Sequence, residues 1–225
     1  MRRPRNVPDL QSAPLPLQAR VHCLGLTALV RSLLAAALLW AAAAQADEAL
    51  WHRLKQGGQV VLIRHALTEP GVGDPPGFVI TDCGTQRNLS EAGRAEAQRL
   101  GAAFQARAIP VARVLTSPWC RCIDTAKIAF GAAQRHPALG NLFELPQNRE
   151  RQMAAFRELI AKAPKVGNLI LVTHGSTTMA FTGVSPATAE MVVLSPGAGG
   201  QFELAGRIAL ADANSNPNEM QRALK

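Results

Sequence analysis

VVLIRHALTEP, residues 60–70, opens with four apolar residues and then turns abruptly polar. An apolar run this short and unbroken is typical of a strand that is buried on both faces of a parallel sheet. The run stops at Arg64 and His65, so a cationic and a titratable side chain follow the strand directly. Such a pair either marks the point where the strand surfaces or points into a cleft.

Two later segments, residues 111–116 and 168–173, repeat this pattern. In all three cases polar side chains of chemical interest follow the apolar run. They are Arg64, His65, Arg121 and His174. Ligands of open α/β sheets bind beyond the carboxyl ends of the strands, so we expect these four side chains to converge in one cleft.

Helical patterns separate the strands. Apolar residues at helical spacing, or helix start and stop signals, predict four helices. These cover residues 90–105, with Ser90 as N-cap, and residues 119–130, 148–162 and 175–183. Two further strands are predicted at residues 190–194 and 201–204. This alternation predicts an α/β fold, a three-layer sandwich with a mostly parallel central sheet flanked by helices.

Residues 1–46 have a composition of their own. They hold five arginines and one aspartate, whereas the 225-residue chain as a whole carries a net charge of +8. A basic start, the apolar run LLAAALLWAAAA at residues 33–44 and Ala44-Gln45-Ala46 predict a signal peptide cleaved after Ala46. The apolar run is shorter than the roughly 20 residues that span a bilayer. A first helix of the domain and an uncleaved anchor are the alternatives.

The predicted cleavage leaves a single domain, residues 47–225, with a polar tail from about residue 212. We expect a periplasmic or secreted bacterial protein with no stable membrane insertion after cleavage. No dense basic run with interleaved aromatic residues occurs in the sequence, so nucleic acid is not expected as a partner.

Three cysteines follow residue 46, namely Cys83, Cys120 and Cys122. An oxidising compartment permits one disulfide and leaves one thiol. Because Cys120 and Cys122 lie two apart at a predicted helix start, they do not face each other. We therefore expect Cys83 to pair with Cys120 or Cys122, with three reduced thiols as the alternative. The cysteine spacing is not a zinc signature, and neither a metal nor a cofactor is expected.

Two arginines and two histidines in one cleft form a cationic pocket. The planar guanidinium of arginine matches phosphate oxygens. Histidine titrates near neutral pH and is a nucleophile when neutral. Phosphoryl transfer mainly requires positioning and neutralisation of oxygen charge, so the predicted cleft suits that reaction.

The same residues, taken in order, resemble the histidine phosphatase superfamily. Four of its motifs have counterparts here, namely Arg64-His65-Ala66, Leu89-Ser90-Glu91-Ala92-Gly93, Ser117-Pro118-Trp119-Cys120-Arg121 with Thr125-Ala126, and Val172-Thr173-His174-Gly175. The resemblance covers about residues 58–205. It implies a phosphoglycerate mutase-like fold.

By this resemblance, His65 is the nucleophile and forms a phosphohistidine, while Arg64, Arg121 and His174 hold the phosphoryl group. Water then hydrolyses the intermediate. The chain would be a metal-independent phosphomonoester hydrolase that acts on a phosphorylated small molecule or a phosphorylated envelope component. The alternatives are a non-catalytic phosphate-binding module of the same fold and a phosphoglycerate-type mutase.

Two positions depart from the family pattern. Ala66 stands where the family commonly has glycine, and Gly175-Ser176 leave no acid directly after the second histidine. Glu144 is the first candidate for the general acid, with an exposed loop carboxylate as the alternative. Glu69 and Asp74 are the next candidates, because their loop should overhang the pocket. Asp124 follows them, with pairing to a basic side chain as its alternative.

The segment from Pro70 to Arg87 is rich in glycine, proline and aspartate. Loops beyond strand ends commonly set specificity. We expect Thr68, Arg87 and Asn88 to contact the substrate, with a solvated surface arginine as the alternative for Arg87.

Overall fold

A computed structural model of the chain describes residues 47–210. These residues belong to the second of the two units into which the chain divides, residues 47–225. The predicted signal peptide and the predicted polar tail lie outside the described residues.

The described residues form one six-stranded sheet in the order β3-β2-β4-β1-β5-β6. Its strands are β1 (Val60–Arg64), β2 (Val111–Thr116), β3 (Gln134–Arg135), β4 (Asn168–Thr173), β5 (Met191–Pro196) and β6 (Phe202–Ile208). The pairs β3/β2, β2/β4 and β4/β1 are parallel, while β5 runs antiparallel to β1 and to β6. The sheet is therefore mostly parallel with an antiparallel pairing at one side.

Within residues 47–210, five α-helices cover the two faces of the sheet. They are α1 (residues 47–56), α2 (Glu91–Ala106), α3 (Cys120–Phe130), α4 (Arg149–Ala161) and α5 (Gly175–Thr182). The apolar residues of α1, α2 and α3 share one core cluster, and those of α4 and α5 share another. The predicted three-layer α/β sandwich is confirmed.

Strand β1 shows why a continuous apolar run is needed. Val61 and Ile63 pack into the cluster of α1, α2 and α3, whereas Val60 and Leu62 pack into that of α4 and α5. All four side chains are fully buried. Successive residues of a strand point to opposite faces, so a strand between two helix layers must be apolar at every position.

Strand β2 departs from this expectation. Its first three residues are exposed, and burial begins at Val114. Its neighbour β3 has only two residues and pairs with Leu115 and Thr116 alone, so the start of β2 has a partner on one side only. The sequence pattern predicted neither β3 nor helix α1.

Helix α2 packs closely against the segment that follows β1. Ser90 is its N-cap, as predicted, and its side chain accepts a hydrogen bond from the Gly93 N–H. A Cβ atom at Gly93 would lie 1.8 Å from the carbonyl oxygen of Leu67. Glycine at this position therefore permits α2 to support the backbone just beyond His65. Across residues 47–210, none of the helices has the length and apolar character needed to cross a membrane.

Candidate active site

The three predicted strand ends meet in one cavity of about 370 Å³. Arg64 ends β1 and His65 follows it, Arg121 lies in the first turn of α3 after β2, and His174 is the N-cap of α5 after β4. The full lining consists of Arg64, His65, Gly71, Val72, Gly73, Arg87, Arg121, Asn141, Phe143, His174, Gly175, Ser176 and Ser185. The predicted convergence of the arginines and histidines is thus present in the structure.

His65 is held with one ring nitrogen free. Its Nδ1 lies 2.9 Å from the carbonyl oxygen of Ala66, which can only accept, so Nδ1 carries the hydrogen and Nε2 carries the lone pair. Burial lowers the pKa of His65 to about 3, the Ala66 hydrogen bond opposes that shift, and the nearby arginine charges add to it. The imidazole is therefore neutral at physiological pH and nucleophilic at Nε2.

His174 faces His65, with the two ring centroids 5.3 Å apart. Its Nε2 lies 2.8 Å from the Ser117 hydroxyl oxygen, a hydrogen bond that fixes the orientation of the ring. Burial, followed by the charges of His65 and Arg121, lowers the pKa of His174 well below its usual value. This second imidazole is neutral as well.

Arg121 is only 1% exposed and is paired with Asp74. Its Nη1 and Nη2 donate to the two carboxylate oxygens of Asp74 at 2.6 and 3.0 Å. The Arg87 backbone N–H and the Trp119 indole N–H donate to the same carboxylate, at 2.9 and 3.0 Å. Burial would raise the pKa of Asp74, but these hydrogen bonds outweigh it and lower the pKa below its usual value. Asp74 is thus an ionised anchor for Arg121.

The three cavity arginines share one arrangement. Each is held through Nη1: Arg64 donates to the Pro186 carbonyl at 2.9 Å, Arg87 to the Gly71 carbonyl, and Arg121 to Asp74. In each of them, Nε is buried and has no hydrogen-bond partner among the described residues.

Buried donors without a partner are rare and costly in native proteins. Three such N–H groups around one cavity therefore point to a ligand that supplies acceptors. Phosphate oxygens suit the planar fork of a guanidinium. The arrangement can bind a phosphoryl group beside a neutral imidazole.

Several predicted site residues lie outside the cavity lining. Thr68 forms an isolated β-bridge with Leu89, and the side-chain amide of Asn88 donates to the Cys83 carbonyl at 2.7 Å. Glu144 accepts a hydrogen bond from the Asp74 backbone N–H at 2.9 Å, and Glu69 is exposed. Within residues 47–210, the cavity lining contains no carboxylate.

Asn141, Phe143 and Ser176 line the cavity although the sequence did not single them out. Ser176 could have been identified from the sequence as a site residue, because it lies two residues after His174. Its hydroxyl donates to the Asn141 side-chain oxygen at 2.9 Å and accepts from the Phe143 N–H at 3.2 Å. Asn141 and Phe143 belong to a connecting segment whose position depends on these tertiary contacts, so no local pattern marks them.

A disulfide ties the loop of Asp74 and Arg87 to helix α3. Of the two pairings left open by the sequence, the structure contains Cys83–Cys120, with an S–S distance of 2.01 Å. Cys122 is a free thiol whose Sγ lies 3.5 Å from His174 Nε2. Burial raises the pKa of the Cys122 thiol to about 12. The disulfide thus holds the loop at residue 83 beside the helix that carries Arg121.

Ala66 is accommodated without backbone strain. Among the described non-glycine residues, positive φ occurs only at Ala108 and Ala189. Ala66 is fully buried, and its N–H donates to the Thr125 hydroxyl at 3.1 Å. Thr125 in turn donates to the Arg121 carbonyl at 2.7 Å, which links the nucleophile segment to α3. No cluster of three metal-ligating side chains occurs between residues 47 and 210.

A family model described as the histidine phosphatase superfamily (branch 1) matches residues 60–145, a stretch that includes Arg64, His65 and Arg121. A search among curated proteins finds none that matches the chain.

Solved structures are similar to the chain. Mycobacterial hydrolase 2 is 16% identical, with a TM-score of 0.50 over 74% of this chain and 97% of that one. The protein histidine phosphatase SixA, solved with tungstate, is 15% identical, with a TM-score of 0.49 over 67% and 96% of the two chains. A mycobacterial glucosyl-3-phosphoglycerate phosphatase is 17% identical, with a TM-score of 0.45 over 60% and 89%. At these identities, the first likeness supports the fold alone.

Proposed function

We propose that this chain, which belongs to the histidine phosphatase superfamily, hydrolyses phosphomonoesters through a phosphohistidine intermediate on His65. Members of the superfamily are phosphatases or mutases. The observation that carries the proposal is the set of three arginines whose buried Nε groups lack partners around a neutral histidine. It supports both the binding of a phosphoryl group and an attack upon it.

In the first step, Nε2 of His65 attacks the phosphorus atom and the bond to the leaving oxygen breaks. Arg64, Arg121 and His174 hold the phosphoryl oxygens, whose charge they stabilise in the transition state. The phosphorylated ring is cationic, and the Ala66 carbonyl at 2.9 Å from Nδ1 stabilises that cation.

In the second step, water attacks the phosphorus atom and the P–N bond breaks. The electron pair returns to Nε2, which restores the neutral histidine. Inorganic phosphate leaves, and one proton of the water passes to solvent. The same arginines serve this step because the phosphoryl oxygens stay where they were bound.

The test is phosphate release from a panel of phosphomonoesters, combined with trapping of an acid-labile phosphorylated protein. We expect turnover and label in the wild-type chain and neither in His65→Ala. His52→Ala is the matched control, because His52 is exposed on α1 and should not affect turnover. Full activity in His65→Ala would refute the proposal.

A non-catalytic phosphate-binding module is the second candidate, and the absence of a carboxylate from the described cavity lining favours it. This candidate predicts that the wild-type chain binds phosphate or vanadate but releases no phosphate from any ester. Calorimetric titration with vanadate alongside the substrate panel separates the two candidates.

We further propose export to the periplasm or the medium, with a phosphorylated small molecule or envelope component as substrate. The basic start, the apolar run and Ala44-Gln45-Ala46 support export. Fractionation of bacteria that express the full chain, with N-terminal sequencing, tests it. An N-terminus at Asp47 in the periplasmic or secreted fraction is expected, and an uncleaved cytoplasmic chain would contradict the proposal.

A further inference from the structure

We infer that the preferred substrates are phosphoanhydrides, in which the transferred phosphoryl group is bonded to a second phosphate that departs as an anion. The inference rests on the phosphohistidine chemistry of the proposed function and extends it from phosphomonoesters to phosphoanhydrides. Two independent features carry it, the lack of a proton donor in the described cavity and the presence of a third arginine.

The first feature concerns the leaving group. No carboxylate lines the cavity within residues 47–210, and both cavity histidines are neutral. Asp74 is ionised and accepts four hydrogen bonds, while Glu144 lies against the Asp74 backbone rather than in the cavity. None of these groups is placed to donate a proton to a leaving oxygen.

The consequence differs between substrate classes. An alkoxide is about as basic as hydroxide, the conjugate base of a very weak acid, so an alkyl phosphate needs a proton donor. A general acid commonly contributes about 10²–10⁴-fold to the rate. The last proton of a phosphomonoester has a pKa of about 6, so a phosphate can leave unprotonated at neutral pH.

The second feature is Arg87. One phosphoryl group has three non-bridging oxygens, for which Arg64, Arg121 and His174 already provide donors. Arg87 is half-buried, and its Nη1 donates to the Gly71 carbonyl oxygen in the loop beside the cavity. Its buried Nε has no hydrogen-bond partner among the described residues. It therefore offers a separate anion contact.

Arg87 enters the cavity from a different segment than the other two arginines. Arg64 lies at the end of β1 and Arg121 in the first turn of α3, whereas Arg87 lies in the loop before α2. A second anionic group, bonded to the transferred phosphoryl group on the side away from His65, would meet Arg87.

Among alkyl phosphates, unsubstituted aryl phosphates and phosphoanhydrides, only the phosphoanhydrides satisfy both features. An alkyl phosphate that bears a carboxylate engages Arg87 but needs the missing acid. An aryl phosphate needs no acid but brings no second anion. In a phosphoanhydride, the bridging P–O bond breaks as the His65 Nε2–P bond forms, and its electron pair leaves on a phosphate that Arg87 stabilises. Water then releases inorganic phosphate from His65.

The experiment compares kcat/KM for methyl diphosphate, 4-nitrophenyl phosphate and 2-phosphoglycolate in the full chain. We expect methyl diphosphate to exceed 2-phosphoglycolate by about 100-fold or more. Arg87→Gln should lower kcat/KM for methyl diphosphate by about 10- to 100-fold, the effect of losing a charge-assisted hydrogen bond. Arg87→Gln should lower kcat/KM for 4-nitrophenyl phosphate much less. Retained turnover of this substrate also shows that the variant folds.

Arg113→Gln is the matched control, since Arg113 is exposed on β2 and bonded to Gln134. Equal turnover of 2-phosphoglycolate and methyl diphosphate would overturn the inference. So would an equal effect of Arg87→Gln on methyl diphosphate and 4-nitrophenyl phosphate, or loss of 2-phosphoglycolate turnover in Glu144→Gln. If the wild-type chain hydrolyses no substrate and forms no phosphohistidine, the proposed function itself fails.

Discussion

Asp74→Asn tests the most deeply buried ion pair of the described residues. The side chains of Asp74 and Arg121 are 0% and 1% exposed, and their closest approach is 2.6 Å. Asparagine keeps one acceptor oxygen but presents an amide N–H₂ where the second oxygen stood. If the amide replaces Oδ2, it faces the Arg121 Nη2 and the Trp119 indole N–H, both of which are donors.

The substitution therefore leaves a buried guanidinium without its counter-charge. Breaking a buried ion pair by removing one partner costs about 3–5 kcal/mol. For a chain of this size, 1 kcal/mol corresponds to roughly 2–4 °C, so we expect the melting temperature to fall by roughly 6–20 °C. Asp124→Asn is the matched control. Its 3.5 Å pair with Arg94 is partly exposed, so the loss should stay below about 1 kcal/mol.

The assay is urea unfolding of both proteins between pH 7 and pH 2.5. The folded state lowers the pKa of Asp74, so its contribution is complete above the unfolded value of about 3.9 and is lost as the pH falls through the folded value. The difference in unfolding free energy between wild type and Asp74→Asn should thus be constant near neutral pH and shrink below about pH 4. Contributions of the histidines occur in both proteins and cancel. A difference below about 1 kcal/mol at pH 7, or one that does not change in acid, would refute the reasoning.

Three further predictions concern the same region. The ring of His65 should stay neutral down to about pH 4 in an NMR titration, because its pKa is about 3. As the pH falls below about 6.5, the unfolded chain binds a proton at this histidine that the folded chain does not bind, so the free energy of unfolding should fall. A midpoint for His65 near 6.5 would contradict this. Cys83→Ser opens the disulfide to Cys120, 37 residues away, and should cost about 3–4 kcal/mol in urea unfolding under oxidising conditions; no change would show that the bond is not formed. Gly93→Ala places a methyl group 1.8 Å from the Leu67 carbonyl oxygen and should lower the free energy of unfolding by about 3 kcal/mol; a neutral effect would mean that α2 moves freely.

Much of the architecture followed from local pattern. Strands β1 and β4 are buried on both faces. Because such strands need apolar residues throughout, a continuous apolar run predicts them from a single sequence. Helix α2 was marked by its apolar face and its N-cap, Ser90. The two-residue strand β3 carries no pattern, because pairing with β2 alone defines it.

The sequence by itself determined which side chains stand at strand ends, since Arg64 and His65 follow a buried run directly and His174 follows another. The general rule for parallel sheets then predicted that they meet. Only the tertiary structure decided the contacts between segments that are distant in the chain. Asp74 could anchor Arg121 only once the loop folded across 47 residues of chain.

The choice of Cys120 over Cys122 was settled in the same way. Residues two apart on a helix face different directions, and the packing of α3 turns Cys122 towards His174 and leaves Cys120 to the loop. Local periodicity reports burial along one element. Partners of buried polar groups depend on how elements come together, and no local pattern encodes that.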